Sequence, residues 1–176
     1  MNITIITGNI DLCPHKLQLQ AQRDKGTLSQ NDHSCYELVP NAKVTWQQAE
    51  QMCSSRDGHL VYITSSKEQN FIQNFMKRHY PDHAVWIGLT DKNTEGHFHW
   101  TSGMQVQYTN WIPGHIANYA SSSQEDCVVL IPYKNGQWDD IPCGYTQHSI
   151  FGGTYSGETH PLLCEYGIST GPSLIG

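Results

Sequence analysis

The six cysteines constrain the fold of this chain more than any other residues do. They form an even set without a C-x-x-C pair, at positions 13, 35, 53, 127, 143 and 164. Six cysteines allow fifteen disulfide pairings, and their count alone excludes none. A zinc ribbon needs close cysteine pairs and a thioredoxin-like protein needs C-x-x-C, so both classes fit poorly. We therefore expect all six to be bridged in a secreted protein.

Two acidic pairs flank two of these cysteines in the last third of the chain. The first pair lies in Glu125-Asp126-Cys127, and the second lies in Asp139-Asp140-Ile141-Pro142-Cys143. A disulfide between these two cysteines would hold the four carboxylates within a few ångströms of one another, where their repulsion has to be relieved. Ca²⁺ suits such a place because it takes six to eight oxygen ligands in flexible geometry. The pattern predicts a calcium-dependent extracellular module.

The composition favours one domain and argues against two classes of partner. A chain of 176 residues is long enough for one domain with a core and too short to indicate two. The formal net charge is −6 and the basic residues are scattered, so we expect no nucleic-acid partner. No apolar run approaches the ~18 residues that span a bilayer, so we expect no direct membrane insertion.

The start of the chain lacks the basic flank and long apolar stretch of a signal peptide, and it carries a glycosylation sequon, Asn2-Ile3-Thr4. We expect a secreted protein or the extracellular domain of a membrane or matrix protein. Flexible tails are predicted at residues 1–12 and 167–176, around a domain at residues 13–166. Residues 14–34 are polar and predict a loop or hairpin closed by the cysteines at its ends, rather than part of the core.

Two amphipathic helices are predicted in the first half of the chain. The first has a possible cap at Thr45, a stop at Gly58 and three residues at helical spacing: Trp46, Ala49 and Cys53. Ser65-Ser66-Lys67-Glu68 is a capping box that opens the second helix, and Pro81 ends it. The apolar face of this second helix consists of Phe71, Ile72, Phe75 and Met76.

Short apolar runs between turns predict the strands. One lies at residues 59–63, between the two helices, and the others lie at residues 84–89, 98–100, 106–108, 128–131 and 162–166. Two helices followed by strands and long loops predict an α+β fold.

Several short motifs follow one another in an order that is hard to obtain by chance. They are Cys35-Tyr36, Trp46 with Ala49 and Cys53, Gly58-His59-Leu60-Val61, Trp86-Ile87-Gly88-Leu89, Tyr108-Thr109-Asn110-Trp111, Glu125-Asp126-Cys127, Trp138-Asp139-Asp140-Ile141-Pro142-Cys143 and Cys164. In this order, about residues 35–166 resemble a C-type lectin-like domain. The resemblance implies two helices packed on short antiparallel sheets, with a long calcium-supported loop. It also implies three disulfides, which are Cys53–Cys164, Cys127–Cys143 and, in the long form of the fold, Cys13–Cys35.

The resemblance carries two calcium sites onto this chain. The site that supports the long loop corresponds to Asp91, Glu95, Asn118, Glu125 and Asp126. The sugar-binding site of the family retains three residues here, which are Glu125, Asp139 and Asp140.

The sugar-binding triplet of the family is absent. Sugar-binding members carry Glu-Pro-Asn or Gln-Pro-Asp after Trp-x-Pro-Gly, whereas Trp111-Ile112-Pro113-Gly114 is followed here by His115-Ile116-Ala117. His115 is a poor ligand for a hard cation. We expect a non-standard ligand surface formed by His115, Asn118, Tyr119, Glu125, Asp139 and Asp140.

Several of these residues have simpler interpretations. Asp91, Glu95 and the acids before Cys143 also suit solvated turns. Four tryptophans of the chain are expected in the core rather than on a sugar-stacking surface, and they are Trp86, Trp100, Trp111 and Trp138. Better candidates for exposed contacts are Tyr119, Tyr133 and Tyr145.

The ten histidines raise the hypothesis of a zinc or copper site. His79 and His83 have ligand spacing for a helix, but Pro81 breaks the face that they would need. His97 and His99 would share one face of a strand. Ordinary surface histidines are the competing interpretation.

We expect a binding module rather than an enzyme, because no motif of a catalytic constellation is present. Residues 144–160 form an insertion rich in Tyr, Ser, Gly and His, which is typical of an adaptable recognition loop. The first hypothesis is calcium-dependent recognition of a glycan or glycoprotein through residues 115–140. The second is a protein ligand bound by the insertion, with calcium only structural. A purely structural spacer domain is the third.

Overall fold

The structure, a computed structural model, describes residues 10–80, 82–114, 125–144, 147–148, 154–155 and 158–168. Three α-helices lie in this part of the chain: α1 (His15–Arg23), α2 (Trp46–Ser54) and α3 (Ser66–His79). The strands are β1 (Thr27–Asn31), β2 (Ser34–Val44), β3 (His59–Leu60), β4 (Val85–Thr90), β5 (His99–Trp100), β6 (Cys127–Ile131), β7 (Gln137–Ile141), β8 (Gln147–His148), β9 (Thr154–Tyr155) and β10 (His160–Gly167). The predicted α+β class is confirmed. Within the described residues, no helix is long and apolar enough to cross a membrane.

An eight-stranded sheet has the order β1-β2-β10-β4-β6-β7, with β3 paired to β10 and β5 paired to β4. The last strand, β10, lies in its middle. It pairs antiparallel with β2, where Leu163 faces Leu38, and parallel with β4, where Leu162 faces Trp86. The expectation of antiparallel sheets therefore needs a correction at this one parallel pair.

Both faces of the sheet are buried. Side chains alternate along a strand, so Val129 and Ile131 of β6 join the apolar cluster that contains residues of α1 and α2. Val128 and Leu130 point the other way and join the cluster that contains the apolar face of α3. Because β6 packs on both sides, residues 127–131 are all buried. This burial explains why the strand is apolar throughout.

Helices α2 and α3 begin where the sequence predicts. The Thr45 hydroxyl accepts a hydrogen bond from the Gln48 amide at 3.3 Å, and the Gln48 side chain accepts one from the Thr45 amide at 3.0 Å. At the start of α3, Ser65 accepts from the Glu68 amide at 3.2 Å. The Glu68 carboxylate accepts from the amide of Thr64, the residue before the cap, at 2.9 Å. In the predicted capping box it would accept from the amide of the cap residue itself, Ser65.

The prediction for residues 14–34 is wrong in part. This segment forms α1 and β1, and it contributes Leu17, Ala21 and Leu28 to the core. The two buried residues of α1, Leu17 and Ala21, are four positions apart, so they lie on one face of the helix. The described residues form three helices where two were expected, and the hairpin is formed by β1 and β2, with Gln30 opposite Cys35.

The strand predicted at residues 106–108 is absent from this described region. An isolated bridge joins His99 to Gln105 instead. The neighbouring strand β5 has two residues, which leaves little edge for a partner.

The three predicted disulfides are present. Cys53–Cys164 closes 111 residues, Cys13–Cys35 closes 22 and Cys127–Cys143 closes 16. The first of these ties α2 to β10, so it joins the two halves of the domain through the core.

Candidate functional site

Three neighbouring strands bring acidic residues to one edge of the sheet, which we call the acidic edge. β4 and β6 run antiparallel with Thr90 opposite Cys127, so Asp91 follows β4 where Asp126 precedes β6. The Asp91 amide donates to the Asp126 carbonyl at 3.3 Å. β7 continues the edge because Asp140 lies opposite Val128 of β6.

Asp91 is the buried member of this group, with 1% of its surface exposed. Its Oδ2 atom accepts a hydrogen bond from the Gly96 amide at 2.8 Å. Its Oδ1 atom is buried and has no hydrogen-bond partner among the described residues. A buried carboxylate oxygen costs free energy unless a donor or a cation satisfies it, so this atom needs a partner.

The charges at the acidic edge repel one another. Burial raises the pKa of Asp91, the Gly96 amide lowers it, and the nearby charges of Asp126 and Asp140 raise it further. Glu95 is exposed, and its pKa is raised by partial desolvation and then by the acids around it, including Glu125. A cation that neutralised the edge would relieve this repulsion.

The acids do not form a closed metal cage by themselves. Among the described residues, no three His, Cys, Asp or Glu side chains are close enough together to hold a metal ion. Asp139 and Asp140 are both half-buried, and as neighbours on a strand they point to opposite faces.

The other predicted ligands cannot be placed. His115, Asn118 and Tyr119 lie outside the described residues. The calcium ligand set therefore stays a prediction.

The histidines predicted as a metal pair have other neighbours. His97 Nδ1 lies 3.2 Å from the Glu95 carbonyl, and His99 Nε2 lies 3.3 Å from the Asn93 side-chain amide. His79 packs on Phe75, and burial, followed by the charge of Arg78, lowers its pKa. The transition-metal hypothesis gains no support from these contacts.

Three of the four tryptophans predicted in the core lie there, and the fourth, Trp111, packs against it. Trp86, Trp100 and Trp138 are at most 1% exposed. Trp111 is half-buried, with its ring centre 5.7 Å from that of Trp138 and 4.7 Å from that of Phe98.

Gln69 is a structural residue that the sequence analysis missed. It is 3% exposed, and its Oε1 atom accepts from the Trp138 indole at 2.9 Å. Its Nε2 atom donates to the Gly136 carbonyl at 2.9 Å. A single polar residue on the buried face of a helix was the available signal, because a buried amide needs partners.

The insertion after Cys143 contains a hairpin, since β8 and β9 pair antiparallel with Gln147 opposite Tyr155. The two ends of the insertion meet where Gly144 lies against the Glu158 carbonyl. Of the tyrosines expected to be exposed, Tyr133 is 61% exposed, and Tyr119 and Tyr145 lie outside the described residues.

Comparisons with known proteins agree on one family. The family model for the lectin C-type domain matches residues 42–150. The versican core protein of Rattus norvegicus is 42% identical over 111 residues, which are 63% of this chain and 4% of that protein. The human versican core protein has the same identity, and the match covers 3% of it. The chain thus spans a few per cent of the length of these relatives.

Solved structures with the same fold include both a carbohydrate-recognition domain and an antifreeze protein. The mouse scavenger receptor C-type lectin carbohydrate-recognition domain has a TM-score of 0.64 and 30% identity, over 80% of this chain and 95% of that one. A calcium-independent type II antifreeze protein has a TM-score of 0.62 and 25% identity, over 80% and 91% of the two chains. The resemblance in the motifs, the three disulfides and the family match all lead to one conclusion. The chain belongs to the C-type lectin domain family.

Proposed function

We propose that this protein is an extracellular recognition module that binds carbohydrate with the help of calcium, through a non-standard sugar site. The observation that carries the proposal is the buried Asp91 carboxylate, whose Oδ1 atom lacks a protein partner among the described residues. A structural role alone would leave that atom unsatisfied at a cost of about 1–3 kcal/mol.

The residues at the acidic edge fit calcium rather than a softer metal. Carboxylates and amide oxygens are the ligands that hard cations prefer, and four of the five predicted loop-site residues are acids. Asp91, Glu95, Glu125 and Asp126 would hold the ion with Asn118, and the described acids would have to approach one another more closely to do so. When bound, calcium would neutralise the edge and support the loop between β5 and β6.

Sugar recognition would use Glu125, Asp139 and Asp140 together with His115 and Tyr119. In sugar-binding members of the family, one oxygen of a carboxylate or amide side chain coordinates the ion, while the other carboxylate oxygen accepts a hydrogen bond from a sugar hydroxyl or the amide nitrogen donates one to it. Because His115-Ile116-Ala117 replaces the usual triplet, the shell would need backbone carbonyls or water, and calcium would bind in the weak range of extracellular modules. Standard mannose or galactose selection is therefore not proposed.

A protein ligand is the second candidate. The hairpin β8–β9 in the insertion favours it, since a loop rich in Tyr, Ser and Gly supplies adaptable contacts. Calcium would then be structural, or not required, as in the calcium-independent type II antifreeze protein of the same fold.

The proposed setting is extracellular, either secreted or as a domain of a membrane or matrix protein. All six cysteines are paired, which requires an oxidising compartment. We propose no catalytic activity for the module, and its partners would be a glycan, a glycoprotein or a protein.

Calorimetric titration of Ca²⁺ into chelator-treated protein tests the proposal. We expect binding in the wild type, its loss in Asp91→Asn, and weaker binding in Asp140→Asn. The matched control is Asp57→Asn, because Asp57 is a 90% exposed acid that pairs with Lys16 away from the acidic edge.

The outcomes separate the two candidates. If Asp91→Asn loses calcium, Asp140→Asn binds it more weakly, and a glycan array in calcium gives binding that free monosaccharides inhibit, the lectin function stands. Loss in Asp91→Asn alone would make the sugar site vestigial and favour a protein ligand. Absence of any binding in the wild type would overturn the calcium assignment and leave the fold unchanged.

A further inference from the structure

The edge of the sheet opposite to the acidic edge carries an open cleft of about 500 Å³. Its wall contains the rings of Tyr80, His83, Tyr133 and His160, and we call it the tyrosine cleft. Its volume lies within the range of about 300–1,000 Å³ that is usual for small-molecule sites.

The strand order explains why these residues meet. The cleft includes Ala84, just before β4, and His160, at the start of β10, and these two strands run parallel. It also includes Lys43, near the end of β2, which runs antiparallel to β10. Tyr133 follows β6, which runs antiparallel to β4. The ends of four strands therefore converge on the cleft.

The tyrosine cleft is separate from the acidic edge. Ala84 precedes β4 and Asp91 follows it, so the two sites lie at opposite ends of this strand. At about 3.3 Å per residue they are roughly 20 Å apart.

Tyr133 is presented to solvent on a fixed turn. It lies in the 3-10 turn Pro132–Lys134 and is 61% exposed, which is unusual for so large a ring. The Gly136 amide closes the turn by donating to the Ile131 carbonyl at 3.0 Å. The Gly136 carbonyl accepts from Gln69 at 2.9 Å and from Asn110 at 3.0 Å.

The opposite wall is also held in place. The Tyr80 hydroxyl donates to the Pro40 carbonyl at 3.2 Å, and the His83 ring lies 5.0 Å from the Tyr80 ring. His160 packs edge-on against Trp86 at 4.8 Å, and its Nε2 lies 2.8 Å from the Glu158 carboxylate. A rigid set of rings loses little conformational entropy when a ligand binds.

The charges in the cleft favour a neutral ligand. Lys43 and Asp82 both line it and both are exposed, so the pair adds no net charge that would select an anion or a cation. A polyhydroxyl ligand can accept from the lysine and donate to the aspartate, while its apolar C–H face covers a tyrosine ring. A proline-rich peptide would leave the aspartate without a donor from its own side chains.

We propose that the tyrosine cleft is a second carbohydrate-binding site, which takes neutral hexose oligosaccharides without calcium and uses Tyr133 as the stacking surface. This site is independent of the function proposed for the acidic edge, because none of its residues belongs to the calcium ligand set.

Ligand-observed saturation-transfer NMR in chelator tests the proposal, with lactose, maltose and cellobiose as probes. We expect saturation transfer to at least one of these disaccharides. Tyr133→Ala should weaken its binding by about tenfold or more, as truncation of a central aromatic contact does. Tyr133→Phe should keep most of the affinity, because the ring remains. Lys134→Ala, on the same turn but outside the cleft lining, should bind within about twofold of wild type.

Several results would overturn the proposal. One is the absence of saturation transfer to all three disaccharides, and another is unchanged binding by Tyr133→Ala. A proline-rich decapeptide that bound in a Tyr133-dependent manner while the sugars did not would show a peptide groove instead. Binding that needed calcium and failed in Asp91→Asn would return the sugar to the acidic edge.

Discussion

At two edges of the sheet, a single residue has an exposure that is unusual for its side chain. Asp91 is a charged residue with 1% exposure, and Tyr133 is a large aromatic residue with 61% exposure. A buried charge indicates a ligand because burial without a partner costs free energy. The exposed Tyr133 ring supports a ligand only together with the other rings that line the cleft. The two residues therefore support two separate proposals, one for a cation and one for a sugar ring.

Gly144 offers a sharp test of the structure at the scale of one residue. It has a φ of +82°, and a Cβ atom there would collide with the Glu158 carbonyl, where the two ends of the insertion meet. We expect Gly144→Ala to lower the free energy of unfolding by backbone strain of about 1–2 kcal/mol and by overpacking of about 1–3 kcal/mol. Urea unfolding followed by tryptophan fluorescence measures the change.

Gly103→Ala is the matched control, because Gly103 has nearly the same φ, +83°, and open space around its Cβ position. Subtracting the two changes isolates the contact with Glu158. Equal destabilisation by the two variants would show that the ends of the insertion do not meet as described.

The sequence predicts the local chemistry of a residue well, but it predicts the burial and the tertiary partners of that residue poorly. The disulfide partners could be assigned from the family resemblance, and all three pairs are confirmed. The calcium ligand set stays a prediction. The burial of Asp91 and its unsatisfied oxygen could not be predicted, because both depend on the register in which β4 and β6 pair. The role of Gln69 was also missed, because its hydrogen-bond partners lie 67 and 69 positions away in the sequence.

At the scale of elements, α3 is joined to the turn between β6 and β7 by more than apolar packing. Gln69 supplies a buried amide to both the Trp138 indole and the Gly136 carbonyl. The carbonyl has a second donor in Asn110, whereas Gln69 is the acceptor for the indole among the described residues. Loss of Gln69 would therefore leave the Trp138 indole without its acceptor, whereas the Gly136 carbonyl would keep one donor.

Replacement of Gln69 by Leu tests this connection. The Gly136 carbonyl would keep its bond to Asn110, so the main cost is one buried indole N–H without an acceptor, about 1–3 kcal/mol. We expect a decrease of that size in the free energy of unfolding, measured in urea. The turn that presents Tyr133 would also lose one of its anchors.

Asn70→Leu is the control for this prediction, because Asn70 is the exposed neighbour of Gln69 on the same helix. It should change the free energy of unfolding by less than about 0.5 kcal/mol, as surface substitutions do. A loss as large in Asn70→Leu as in Gln69→Leu would indicate a general effect of leucine on α3.

Elements with strong periodicity were predictable, and α1 was not. The helices α2 and α3 have caps and apolar faces that the sequence shows directly. In α1 only Leu17 and Ala21 are buried, while Leu19 is 46% exposed, so the apolar pattern is too short to indicate a helix. Its stability comes from tertiary packing, which no local pattern records.

At the scale of the whole molecule, the central position of β10 makes the fold depend on both ends of the domain. β10 contacts β2, β3 and β4, and Cys164 of this strand is bonded to Cys53 of α2. The acidic edge and the tyrosine cleft lie at opposite ends of the same strands, so one scaffold positions both proposed sites. The family resemblance predicted this scaffold, whereas the cleft arises from strand ends that carry no shared motif.

The disulfides should therefore contribute unequally to the stability of the molecule. A cross-link stabilises a protein chiefly by restricting the unfolded chain, and the effect grows with the logarithm of the loop that it closes. Cys53–Cys164 closes 111 residues and Cys13–Cys35 closes 22, and all four cysteines are at most 3% exposed. Replacement of both cysteines by alanine should thus lower the free energy of unfolding by about 1.4 kcal/mol more for the first pair than for the second.

Urea unfolding of the two double variants under oxidising conditions measures the difference, and the two variants are matched because each removes two sulfur atoms. A variant that is already unfolded in water sets a lower limit on its own cost. Equal losses, or a larger loss from the Cys13–Cys35 pair, would show that restriction of the unfolded chain does not govern the stability of this fold and that α1 and β1 hold it together instead.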